Sequence, residues 1–322
     1  MKSVVRWLLV VLMAVVGGLP AHAYPDRPIS LIVGWAAGGS TDVFARLIAA
    51  RLSEKLGQQV IVVNKPGANG TIGAQLVANE KPDGYTVYYG TNSTYALAPW
   101  IYSSLPYDFN KAFDGVSFVG SMPMILGVAL KVPAKTLTEL IELAKASPRS
   151  LMFGSSSTGS TSHIAAEFLM WLAHIELTHV PYKGGGPALA ALLSGEIDIL
   201  FNDIATFEPA MSAQRVRGLA LTAEKRVAQL PDLPTVSEAG LPGFEVSTTN
   251  AVFVPHGTPS PIVERLRGAL AAVLDEPTLR NELVARGMIV QASTSGELAR
   301  HVQQEQAKWR SLLEARKITL NP

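Results

Sequence analysis

Cysteine is absent from this 322-residue chain. Its absence excludes a disulfide, a thiolate nucleophile, a cysteine-ligated metal and a lipid anchor on an N-terminal cysteine. Charge is scarce and nearly balanced, with 27 Lys+Arg against 26 Asp+Glu, 16% of the residues. Such a chain casts no long-range field of either sign, and nucleic acid is not expected as a partner. Beyond the first two dozen residues no apolar run is long enough to cross a bilayer. Stability without disulfides has to come from a core. About 300 residues bury one readily, and that length ordinarily divides into two lobes.

Catalytic patterns are missing as well. A nucleophile elbow needs G-x-S-x-G, and "GSSST" from Gly154 fails at its last position. His163 is followed by Ile-Ala-Ala-Glu, so there is no H-E-x-x-H, and "GANGTIG" lacks the lysine of a phosphate-binding loop. His174 and His179 are not at metal-ligand spacing. No enzyme activity, metal or cofactor is expected.

The N-terminus supplies an address. Lys2 and Arg6 precede an apolar stretch from Trp7, which ends in Ala21-His22-Ala23. This is a signal peptide with cleavage after Ala23, a mature chain from Tyr24 and export to a Gram-negative periplasm. Loss of the two leader cations gives a mature net charge of −1.

The mature chain then alternates strands and helices. "ISLIV" is a strand, and "TDVFARLIAARLSEKLG" is a helix with Phe44, Leu47, Ile48, Leu52 and Leu56 at helical spacing and Gly57 as its stop. The strand "QQVIVVN", the short helix "TIGAQLVANE" and the strand "TVYYG" follow. The pattern predicts a parallel, doubly wound sheet. It returns in "SLMF", "HIAAEFLMWLAH", "LTHVPY", "PALAALLSG", "EIDILF" and "VRGLALTA". After the strand "FEVSTTNAVFVP" the chain is helical. Strands without a crossover helix lie near Ser121–Pro123 and Val246–Asn250. Two crossings are therefore expected, with residues 24–122 and 249–322 in lobe 1 and residues 123–248 in lobe 2.

Small polar loops follow three of the strands. In "GWAAGGSTD", residues 34–42, Gly38 and Gly39 let backbone approach a ligand, Ser40 or Thr41 can cap the helix, and Asp42 suits its dipole. "GTNSTY", residues 90–95, is the second. The third carries Ser155, Ser156, Ser157, Thr158, Gly159, Ser160 and Thr161 before a helix. Ligands of open parallel sheets sit at strand carboxyl ends, where helix N-termini favour an anion. Other residues carry two readings each. His163 can face the cleft or pack, and Tyr182 and Lys183 can close over a ligand or simply end a strand. Asp203 can face the cleft or cap the next segment.

"YPDRPISLIV", "GGSTD", "NKPGANGTIGAQLVA", "PDGYTVYYGTNSTYALAP", "LPYD", "VPAKTLTEL", "HVPYKGGGPAL", "LPDLPTVSEAGLPGFE" and "PHGTPSPIV" closely resemble the Bug family. These are the periplasmic receptors of tripartite tricarboxylate transporters, and the resemblance covers essentially the whole mature chain. It implies a type II periplasmic-binding-protein fold, with two α/β lobes and a ligand cleft between them. It also implies an organic carboxylate ligand, a di- or tricarboxylate, an acidic amino acid or an aromatic acid. One carboxylate would be held by backbone N–H groups, hydroxyls and waters rather than by an arginine.

On that reading Trp35, Ala36, Ala37, Gly38, Gly39, Thr41 and Asp42 form half of a carboxylate clamp. Ser156, Ser157, Thr158, Gly159, Ser160 and Thr161 belong to the other half. Thr91, Asn92, Ser93, His163, Tyr182, Lys183, Asn202 and Asp203 complete the candidate ligand contacts. The expected partners are the ligand and membrane transporter subunits, and the receptor is expected to be a monomer. A sensor for a two-component system and a periplasmic enzyme are the alternatives. The chain departs from the family's pattern at Gly34, where proline is common, and at Ser157, where glycine is. It departs again at Phe201-Asn202-Asp203, where many members read F-D-N, and near Thr249 and Asn250, where an aromatic residue is frequent. The last three lie where the far end of the ligand would be read, so acidic amino-acid specificity is not carried over.

Overall fold

A computed structural model describes residues 24–316. The expected leader and its cleavage point lie outside the described residues. The chain opens with β1 (Ile29–Val33), α1 (Ser40–Leu56), β2 (Val60–Asn64), α2 (Thr71–Ala78) and β3 (Thr86–Thr91). β1 pairs in parallel with β2 on one side and β3 on the other. Phe44, Ile48, Leu52 and Leu56 bury one stripe of α1 against this sheet. The helix stops where Gly57 takes φ 73°, a left-handed turn that glycine adopts freely.

A π-helical turn (Ser93–Leu97), α3 (Ala98–Ile101) and α4 (Phe109–Ala112) lead into β4 (Phe113–Ala129). Then come α5 (Leu137–Ala146), β5 (Met152–Ser155), α6 (Thr161–Ala173), β6 (Thr178–Pro181) and α7 (Gly185–Ser194). β7 (Ile199–Asp203), α8 (Ile204–Ser212), β8 (Val216–Leu221) and β9 (Ser247–Pro255) follow. The chain ends in α9 (Ser260–Leu274), α10 (Pro277–Ala285), β10 (Ile289–Val290) and α11 (Ser295–Arg316).

The strands run in the order β2-β1-β3-β9-β4-β7-β5-β6, with β8 and β10 also paired to β4. The sheet is mixed, which corrects the all-parallel expectation. β9 is antiparallel to β3 and β4, and β4 is antiparallel to β7 and β8. β4 divides its bonding along its length: Phe113–Pro123 pairs with β9, and Met124–Ala129 pairs with β7 and β8. Two α/β halves therefore share one long strand.

One apolar cluster lies between α1, α9, α10 and the first half of the sheet. The other runs through both halves and takes in Leu298, Val302, Trp309, Leu312 and Leu313 of α11. α11 does not keep to the first half. It touches β4, the π-turn and α6, and the Trp309 ring meets Phe168 of α6 edge-on at 5.8 Å.

Gly34 shows why β1 ends where it does. A Cβ there would lie 2.6 Å from the Gly70 Cα and 2.9 Å from the Gly70 carbonyl oxygen. Backbone meets backbone, so nothing can swing aside, and a proline ring has no room in this chain. Gly34→Ala is expected to destabilise the fold by about 1–3 kcal/mol through overpacking. Urea unfolding measures it, and an unchanged midpoint would show that the two loops separate without loss.

Candidate ligand-binding site

The loop after β1 is held open by its own carboxylate. Asp42 is buried in the first turn of α1. It accepts from the Gly38 N–H at 2.9 Å, the Arg46 Nε at 3.0 Å and the Asn64 Nδ2 at 2.8 Å. Burial pushes this carboxyl up, but the bonds from Arg46, Gly38 and Asn64 outweigh it and hold it below the ordinary carboxylate range. Asp42 thus braces the loop and neutralises the nearest arginine. Ala36, Ala37, Gly38 and Gly39 are left exposed, and Trp35 is half-buried with its indole N–H on the Thr91 hydroxyl at 3.2 Å. The N-cap of α1 is Gly39, and neither Ser40 nor Thr41 caps it. Its first-turn N–H groups carry no side-chain cap, and this end of the helix dipole favours an anion.

The opposite loop is built by a cap. α6 begins at Thr161, two residues ahead of the apolar run that marks it in the sequence. Ser160 accepts from the His163 N–H and donates to the Ser157 carbonyl at 2.7 Å. The Ser156 N–H donates to the Ser162 hydroxyl at 3.0 Å. Gly159 turns the loop at φ 78° and donates its N–H to His163 Nδ1 at 3.0 Å.

His163 packs. Its ring stacks on His179 at 4.0 Å, and His179 stacks on Phe153 at 4.7 Å. The far nitrogen of His163 is 3.5 Å from Glu167. Burial, and then the neighbouring His163, push the His179 imidazole down to about 3, with Glu167 opposing.

Side chains from the two halves meet directly. The Ser40 hydroxyl donates to Asp203 Oδ2 at 2.7 Å. Asn69 Nδ2 donates to the Thr158 carbonyl at 2.8 Å, and the Ser157 hydroxyl donates to Asn69 Oδ1. The Thr161 hydroxyl donates to Asn92 Oδ1 at 3.1 Å and lies 3.0 Å from the Ser93 hydroxyl.

Most of the remaining candidates are committed to the scaffold. Thr91, Asn92 and Ser93 are buried, and Ser93 opens the π-turn rather than an open loop. Asn92 Nδ2 reaches the Ser247 carbonyl and Glu305, while its oxygen also takes the Thr249 N–H. Tyr182 donates its hydroxyl to Glu196, and Lys183 is exposed beside it. Asn202 donates to the Gly185 carbonyl at 3.0 Å and accepts the Asp203 N–H at 2.9 Å. Asp203 occupies the N-cap position of α8 but makes no cap bond there. Burial raises its carboxyl above the ordinary range, and the Ser40 hydroxyl draws it back only in part.

The structure joins Ser40 to Asp203, Asn69 to Ser157 and Thr158, and Thr161 to Asn92 and Ser93. Ser40 and Asn69 are the bridging residues that the candidate set lacked. Asn69 carried one signal, an asparagine inside a Gly-Ala-Asn-Gly turn, and it adopts φ 54°. Among the described residues no group of three or more His, Cys, Asp or Glu is placed to hold a metal. A cavity of about 20 Å³ lies in the apolar core near Tyr89, Ile48 and Leu266. It is too small for an organic acid and lies away from these loops.

Two α/β halves sharing a long strand, with helix starts facing each other across the join, define a periplasmic-binding protein of type II. Comparison with known proteins gives the family. A model described as the tripartite tricarboxylate transporter family receptor matches residues 44–318. BugT of Bordetella pertussis is 32% identical over 290 residues, covering 90% of this chain and 89% of that protein. The structure of R. palustris Rpa4515 with adipate superposes with a TM-score of 0.88 at 35% identity, covering 93% of this chain and all of that one. MatC (Rpa3494) from Rhodopseudomonas palustris with bound malate gives 0.83 at 35% identity, covering 90% of this chain and all of that one. The chain belongs to the tripartite tricarboxylate transporter receptor family, the Bug family, whose members are periplasmic solute-binding proteins and not enzymes.

The histidine stack has a measurable consequence. His179 titrates near 3 when folded and near 6.5 when unfolded. The unfolded chain therefore binds more protons between those values. This contribution to stability is complete above about pH 6.5 and is lost as pH falls toward 3, by at most about 1.4 kcal/mol per pH unit. His179→Phe should flatten the loss between pH 7 and 5, about the range in which an unperturbed histidine charges. Urea melts at the two pH values check it, and equal slopes would show that His179 is not the buried base.

Proposed function

We propose that this receptor captures a small organic carboxylate between its halves and delivers it to the membrane subunits of a tripartite tricarboxylate-type transporter. The observation that carries the reading is the dicarboxylate held by each of two relatives of the same fold, adipate in one and malate in the other. The local chemistry agrees with it. Arg46, the arginine nearest the clamp, is committed to Asp42. The donors left for an anion are the uncapped N–H groups of α1 and those N–H and hydroxyl groups of residues 156–161 that Ser162, Asn69, His163, Asn92 and the Ser157 carbonyl do not already hold. Hydrogen bonds from such neutral donors to a charged group contribute about 1.5–3 kcal/mol each in a water-poor cleft.

In this reading residues 24–122 and 249–322 form lobe 1, residues 123–248 form lobe 2, and β4 and β9 carry the hinge. Trp35 to Asp42 on one side and Ser156 to Thr161 on the other grip the acid, and the lobes close on it as in other hinge receptors. The leader is removed after Ala23, and the mature receptor works in the periplasm as a monomer without a cofactor.

A thermal-shift screen of the chain from Tyr24, unfolded and refolded to strip carried ligand, tests this. A ligand at 100 times its Kd adds about 2.7 kcal/mol and should raise the midpoint by a few degrees. At least one of adipate, malate, citrate and benzoate is expected to do so, and a flat panel would overturn the carboxylate reading.

Ser160→Asp is the matched variant. Aspartate is itself a strong N-cap, so α6 keeps its start while the clamp gains a like charge. The shift should vanish with that variant. A full shift would remove residues 156–161 from the site.

A further inference from the structure

Asp203 ends β7 at a helix N-cap, where an aspartate ordinarily accepts from its own helix. Here it turns away from α8. It reaches 163 positions back along the sequence, to the Ser40 hydroxyl on the first residue of α1. Ser40 is the only side-chain partner of its carboxylate among the described residues, and no cation among them is paired with it. The other acid at this end of α1, Asp42, is turned inward onto Gly38, Arg46 and Asn64. Asp203 therefore puts a carboxylate from one half of the protein against the uncapped, anion-favouring start of a 17-residue helix in the other half.

We infer that Asp203 is a built-in competitor, its carboxylate occupying in the unliganded receptor the position that the carboxylate of a bound acid takes at α1. The inference rests on the carboxylate reading given above. An incoming acid has to displace Asp203 from Ser40, because two carboxylates without a cation repel at this distance. The receptor open to ligand is then only the fraction in which the Ser40–Asp203 contact is broken, and apparent affinity falls by that fraction. A bond of ordinary strength between a hydroxyl and a half-buried carboxylate makes that fraction about one in ten. The neutral contacts of Asn69 with Ser157 and Thr158, and of Thr161 with Asn92, are independent of it.

The test uses the whole mature chain and two variants, Asp203→Asn, which keeps the shape and removes the charge, and Ser40→Ala, which removes the donor. Hydrogen exchange of residues 36–42 in ligand-free protein should quicken about tenfold in both variants, and unchanged exchange would overturn the contact. Calorimetry with adipate and with malate should show Asp203→Asn binding an acid about tenfold more tightly than the unmodified chain. Equal or weaker binding would overturn the competitor, and weaker binding would make Asp203 a clasp that closes over the acid. If neither acid binds either protein while exchange quickens, the competitor and the carboxylate reading fall together and the bond is a closure contact alone. If the acids bind both proteins equally, the carboxylate reading stands and the competitor falls.

Discussion

The antiparallel ladder between β4 and β9 is the constraint on which the rest of the structure depends. β3 hangs β1 and β2 from β9, and β7 hangs β5 and β6 from β4. Neither group of parallel strands pairs with the other. The separation of the loop after β1 from the loop after β5 is therefore set by two central strands and what packs on them. Parallel strands end in helix starts, and a shared antiparallel pair lets two sets of helix starts face each other. The carboxyl ends of both sets of parallel strands, where open sheets take their ligands, thus lie on either side of the β4–β9 pair.

Electrostatics at the join follow from scarcity. With few charges in the chain, the loops at residues 36–41 and 156–161 offer neutral donors, and the ions Asp42 and Arg46 are consumed locally. Asp42 and Arg46 cancel each other while bracing the loop, and beneath the opposite loop His179 is stacked between His163 and Phe153. Neutral donors fixed by scaffold contacts need no reorganisation when an anion arrives. They also leave a carboxylate such as Asp203 unusually prominent, because nothing nearby offsets it.

Much of the fold was legible because its signals are local. The stripe from Phe44 to Leu56 and the glycine behind it describe α1 before any contact is known. β4 was not legible as one strand. The sequence placed a crossing near Ser121–Pro123, and the structure carries one strand through it, pairing Pro123 with Ser247 and shifting register against β9 at Gly115/Ser117 and Phe118/Gly120. The small-residue loops were visible in the sequence, but not their difference: residues 36–39 are exposed, whereas Gly159, Ser160 and Thr161 are buried. The bridging contacts were not visible either. Ser40 with Asp203, and Asn69 with Thr158, join residues 163 and 89 positions apart, and no periodicity encodes such a pairing. The burial of Thr91 to Ser93 was hidden for a related reason: polar residues look like a loop until their partners on β9, α6 and α11 are known.

α11 adds a mechanical property. A 22-residue helix is about 33 Å of stiff rod, and this one is fastened to both halves, through β4 and the π-turn at one side and through Trp309 against Phe168 at the other. A rod pinned on both sides of a join acts as a strut. It permits tilting about its anchors while resisting a wide gape. The brace reaches the join itself, since Glu305 on the same rod accepts from Asn92, whose oxygen holds the Thr161 hydroxyl at the start of α6.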